Sequence, residues 1–75
     1  MAERLGAACR DAREHAGVRQ IDVQLEAGLK SEGTISKFEA GTGGWSLADR
    51  IVDAYAALVG VGSDDLWRAA LDREE

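Results

Sequence analysis

Apolar residues recur at helical spacing along nearly the whole chain. Leu5, Ala8, Cys9, Ala12 and Ala16 fall at i, i+3, i+4, i+7 and i+11, one stripe of a helix over about residues 2–16 that Gly17 closes. A second helix is expected over about 20–27, with Val23 and Ala27 on its buried side and Gly28 as its stop. Ser31 is a good N-cap for a third, about 32–40, whose buried side is Ile35 and Phe38. "GTGGW", residues 41–45, reads as a flexible loop. Ser46 then caps a fourth helix, about 47–59, with Asp49 as its capping-box partner and Leu47, Ile51, Ala54, Tyr55 and Leu58 as its apolar face. "GVGS" breaks the chain again. Ser63 caps a fifth helix, about 64–73, with Asp64 and Asp65 in its first turn and Leu66, Trp67, Ala70 and Leu71 as apolar positions. The pattern predicts an all-α fold, a five-helix bundle in one domain over residues 1–75.

Composition supports helices and removes several function classes. There is no proline, and the apolar fraction is rich in alanine. The single cysteine, Cys9, falls on the first apolar stripe and excludes an internal disulfide. No run approaches the ~20 apolar residues of a membrane span, and no signal-peptide pattern opens the chain, so a cytoplasmic location without membrane attachment is expected. His15 has no Cys/His cluster around it, the glycine-rich loop lacks the Gly-Lys-Ser/Thr of a phosphate-binding loop, and the acidic residues form no recognisable catalytic pair. His15 instead suits the last carbonyls of its helix. No metal, no cofactor and no enzymatic activity are expected.

Charge is unevenly placed. The formal net charge is -5, with seven Lys/Arg against eight Asp/Glu in residues 1–50 and two against six in residues 51–75. The acidity gathers at the C-terminal end, so a locally basic face can still exist elsewhere.

The second and third helices are short and separated by about three residues beginning at Gly28, which is helix-turn-helix spacing. The full string is "AREHAGVRQIDVQLEAGLKSEGTISKFEAG", followed by "ALVGVGSDDLW". Arg13 precedes Gln20 by seven, Gln20 precedes Gly28 by eight, and "TISKFEAG" is followed by a closing "ALVGV" before a last amphipathic helix. In these features the chain resembles the lambda-repressor and Cro-like helix-turn-helix family, also called XRE, over roughly residues 4 to 71. The resemblance implies that the third helix enters the major groove of double-stranded DNA while the second crosses the backbone. It implies a phosphate contact from Gln20, a structural ion pair between Arg13 and Glu39, and a dimer contact on the last helix. The chain departs from the family pattern at Gly33, where long polar side chains are common. It departs also in a turn one residue longer, at Leu29-Lys30, and at Gln24, where a small alanine is favoured.

Helical angles sort the third helix. At 100° per residue, Thr34, Ile35 and Phe38 share one side and Glu32, Gly33, Ser36 and Lys37 the other. Those last four are the candidates for base-edge contact: Lys37 to guanine O6/N7, Glu32 to cytosine N4, Ser36 to a base or a phosphate. Arg19, Gln20, Lys30, Ser31 and Thr34 are the phosphate candidates, with Arg50 a further cation for the same face. On the second helix, Ile21 and Leu25 form a second apolar stripe opposite Val23 and Ala27. They meet either a wider core or a partner. Ile21, Leu25, Leu66, Trp67 and Leu71 are therefore the candidate dimer or partner surface.

The expected function is a sequence-specific DNA-binding transcriptional regulator, acting as a homodimer on an inverted repeat. The other reading is the same fold used as a protein-interaction module, for example a phage protein that binds a host factor or antagonises a repressor. A composition rich in alanine, glycine, arginine and aspartate points to a GC-rich bacterial or phage source.

Overall fold

Five helices each bury an apolar stripe against the others. The structure, a computed structural model, describes residues 2–31 and 33–72. Its elements are α1 (Ala2–Ala16), α2 (Gln20–Glu26), α3 (Gly33–Ala40), a 3-10 turn (Trp45–Leu47), α4 (Ala48–Val59) and α5 (Ser63–Asp72). No strand occurs among the described residues, so the fold is all-α. Helix α1 packs on α3, α5 and α4, while α2 packs on α4 and α3. The centre is made by Leu5 and Cys9 of α1, Val23 of α2, Ile35 and Phe38 of α3, and Ile51, Val52 and Tyr55 of α4, all essentially inaccessible to solvent. Ala16, at the end of the predicted stripe, is exposed, because the helix has by then passed the edge of the core.

Gly6 sets how α1 and α3 cross. A Cβ at this position would stand 2.2 Å from the Phe38 carbonyl oxygen and 2.9 Å from that of Glu39. The two backbones touch there, which no other residue type permits. The sequence pattern offered no sign of this contact, since Gly6 sits inside a helix.

The connection between α2 and α3 is longer than its spacing suggested. Ala27 is already the C-cap of α2, and Gly28 follows at φ 71°. The Gly28 N–H donates to the Leu25 carbonyl at 3.1 Å and the Leu29 N–H to the Gln24 carbonyl at 3.0 Å, the paired closure of a glycine-terminated helix. Buried Gln24 tightens it: its Nε2 donates to the Leu29 carbonyl at 3.3 Å. The long Gln24 side chain is thus used to staple the turn.

Two expected caps are replaced by other devices. Ser46 lies in the middle of the 3-10 turn, and the N-cap of α4 is Leu47, with no side-chain hydrogen bond. Ser63 is the first residue of α5, and the entry is held by the Gly62 N–H donating to Asp65 Oδ2 at 3.2 Å. The "GTGGW" stretch is also more built than a flexible connector. The Thr42 N–H closes on the Lys37 carbonyl at 2.9 Å, and the Gly44 backbone lies against Phe38, Ile51 and Thr34. The α4 stripe is wider than its predicted face, since Ala48, Val52 and Ala56 are buried as well.

Candidate nucleic-acid interface

A buried polar network anchors α3. Arg13 grips Glu39 side-on, with Nε donating to Oε2 at 2.7 Å and Nη2 to Oε1 at 3.0 Å. Arg13 Nη1 donates to the Val18 carbonyl at 3.0 Å, which also ties down the α1–α2 turn. Gln20 Nε2 donates to Glu39 Oε1 at 2.9 Å, and the Tyr55 hydroxyl to Oε2 at 2.5 Å. One carboxylate from α3 therefore joins α1, α2 and α4. Burial pushes the Glu39 carboxyl up, but the hydrogen bonds from Arg13, Tyr55 and Gln20 and the Arg13 charge outweigh it and hold the group below its ordinary range. Burial, then the bond to Glu39, pushes the Tyr55 hydroxyl well above its usual value. Tyr55 was legible only as an apolar-face residue. Its partner is sixteen positions away, beyond the reach of a periodicity.

Outside this network α3 turns a polar ridge to solvent. Gly33, Ser36 and Lys37 are exposed. The Lys37 stem runs beside the loop, for a Cβ on Gly43 would meet the Lys37 Cβ at 3.1 Å. Glu32, the fourth base-contact candidate, lies outside the described residues. Thr34 is half-buried, with its methyl 3.5 Å from where a Gly44 Cβ would stand, while Lys30 and Ser31 are exposed on the turn before α3. Arg50 reaches back over this turn, its Nη2 3.0 Å from a Cβ built on Gly28.

The remaining phosphate candidates are partly engaged. Arg19 forms a side-on pair with Asp22, Nη2 to Oδ1 at 3.0 Å and Nε to Oδ2 at 3.2 Å. The bond from Arg19 lowers the Asp22 pKa. Such an exposed pair is weak and open to exchange. Gln20 spends one amide hydrogen on Glu39, and its second has no partner among the described residues. Among the described residues, Lys30, Lys37 and Arg50 have no carboxylate within ion-pair distance.

The candidate partner residues separate into two surfaces, and Leu66 belongs to neither. Leu66 is only 4% exposed and belongs to the core, because it faces inward between α5 and its neighbours. Trp67 is half-buried and Leu71 is exposed. Trp67 packs edge-on against Trp45, with ring centroids 6.2 Å apart. Trp45 was missed as a surface residue, since its glycine-rich surroundings carry no helical period. On α2, Leu25 is 68% and Ile21 39% exposed, so the wider core contact is not what they make. A shallow apolar hollow beside Leu25 is floored by Val18 and Leu58.

Among the described residues no group of His, Cys, Asp and Glu is arranged to hold a metal ion, and no helix is long and apolar enough to cross a membrane. His15 Nδ1 lies 2.9 Å from its own helix's Asp11 carbonyl. Cys9 is buried, and desolvation followed by the Glu39 charge pushes its thiol up to about 12. Comparison with protein-family models, curated proteins and solved structures returned no match.

Proposed function

We propose that the chain is a DNA-binding transcriptional regulator of the lambda-repressor and Cro-like helix-turn-helix type, with α3 as the helix that enters the major groove. The observation that carries the reading is the pairing of a rigid anchor with an exposed polar ridge on one short helix. Glu39 locks α3 to three other helices, and Gly33, Ser36 and Lys37 stand on its open side. Base readout needs this arrangement, because side chains discriminate edges only when the helix bearing them is held in register. Lys37 would donate to a guanine. Gly33 would let the helix backbone approach the base pairs closely. Lys30, Ser31, Arg50, Gln20 and an Arg19 released from Asp22 would meet phosphates on either side. The Trp45, Trp67 and Leu71 surface would supply the homodimer contact, and two such chains would read an inverted repeat.

The test is fluorescence-anisotropy binding to a random duplex pool from 50 to 200 mM salt, with sequencing of the retained fraction. Salt-sensitive binding that enriches an inverted repeat is the expected result. A chain that retains no duplex even at the lowest salt is not a regulator acting alone.

One observation favours a second reading, a protein-interaction module. Leu25 is more than two-thirds exposed on a helix whose other face is fully buried. An apolar residue so placed suits a protein partner. In that case Leu25→Ser abolishes partner binding while Lys37→Glu leaves it intact.

A further inference from the structure

A small polar hollow opens beside the Glu39 network, lined by Arg10 and Arg13 of α1, Gln20 of α2, and Ser36, Glu39 and Ala40 of α3. We propose that Arg10, Gln20 and Ser36 clamp one phosphodiester of the nucleic-acid backbone here, with Arg10 as the charged donor. The proposal rests on the DNA-binding reading above and adds to it a residue that reading does not use.

Three features carry it. First, Glu39 does not make the hollow hostile to an anion. Its carboxylate is matched by the Arg13 guanidinium side-on and takes two further hydrogen bonds. Second, Glu39 fixes which way Gln20 faces. A carboxylate only accepts, so the nitrogen end of the amide must point at it, and the second N–H of that same nitrogen is left as a donor. The Ser36 hydroxyl likewise has no partner among the described residues. Third, Arg10 is poised but weakly held. Its Nε is 3.2 Å from Glu14 Oε2, with the two side chains 59% and 51% exposed. An exposed i,i+4 pair of this kind contributes little and exchanges readily for a phosphate, which the planar guanidinium fits with two parallel bonds. The three donors come from three different helices, so one phosphate would fix the position of α3 over the groove.

The experiment titrates the full chain against the same duplex pool over the same salt range, with circular dichroism to confirm that each variant is folded. Arg10→Ala should weaken binding about tenfold and reduce the slope of log affinity against log salt by about one. Glu14→Gln removes the competitor for Arg10 and should strengthen binding in the unaltered chain but not in an Arg10→Ala background. That dependence is a readout a structural role would not produce. An unchanged affinity and slope for Arg10→Ala, with Lys37→Ala still weakened, overturns the clamp and leaves the regulator reading standing. Equal strengthening by Glu14→Gln with or without Arg10 also overturns it, by showing general repulsion. No duplex binding by the unaltered chain removes both.

Discussion

Arg13 and Glu39 are twenty-six residues apart in sequence and meet in a side-on ion pair, 2.7 and 3.0 Å, that ties the end of α1 to the end of α3. Both side chains are nearly enclosed, Arg13 at 13% and Glu39 at 4% exposure. A pair in such a place orients more than it stabilises, yet removing one member strands the other. Arg13→Ala should therefore lower stability by about 3 kcal/mol, read from urea unfolding. Substituting both residues together, with methionine at each, should cost less than the single change. A single substitution without measurable effect on the unfolding midpoint would contradict the burial of the pair.

The same network predicts an acid limb in stability. Glu39 is held below its ordinary value of 4.5 in the native state. Its contribution is thus complete above that unfolded value and is lost as pH falls through the lower native one. Asp22, lowered by Arg19, acts in the same direction from an exposed position. Thermal melts from pH 7 to pH 2 should show the midpoint falling below about pH 4.5. Glu39→Gln should be less stable at neutral pH and show a flatter acid limb.

The α1–α3 crossing predicts an unusual sensitivity at a helical glycine. Alanine normally strengthens a helix relative to glycine by ~1 kcal/mol. At Gly6 the added methyl would meet backbone carbonyls that have no rotamer to move away. Gly6→Ala should destabilise by roughly 1–3 kcal/mol and, by displacing α3, weaken any duplex binding more than its effect on the fold alone would. A stabilised Gly6→Ala protein would show that the helices are not in contact there.

Cys9 should be silent until the protein unfolds. It is fully buried, and its thiol is raised to about 12, so neither access nor thiolate is available at neutral pH. Labelling by a thiol reagent in native buffer should be slow and should follow the global unfolding equilibrium as urea is added. Rapid labelling without denaturant would mean that α1 opens locally.

Lys37 separates function from fold. It is exposed, and the network that anchors α3 does not include it. Lys37→Glu should leave the unfolding free energy from urea denaturation within about 0.5 kcal/mol of the unaltered protein's while abolishing duplex binding in the anisotropy assay. Retained binding would remove Lys37 from the reading face.

Local physics made much of the architecture readable in advance. Apolar spacing near 3.6 and glycines just past helix ends depend on neighbours within a turn or two, so the five helical stretches and their stops at Gly17, Gly28, Gly41 and Gly60 could be located from the chain alone. The polar ridge of α3 followed from the same angles, and the closeness of Arg13 and Glu39 from a resemblance carried by a whole string of residues. Non-local contacts decided everything else. Tyr55 joined the Glu39 carboxylate because α4, packed on α1 and α2, carries its hydroxyl to the end of α3, Leu66 went to the core because α5 lies across α1, and Trp45 found Trp67 from within a glycine-rich loop. The close approach at Gly6 and the hollow that gathers Arg10, Gln20 and Ser36 exist only once three helices have packed. A periodicity reports which side of one helix is apolar. Which helix covers that side, and which polar atoms are then brought within 3 Å of each other, is set by the packing of the assembled chain.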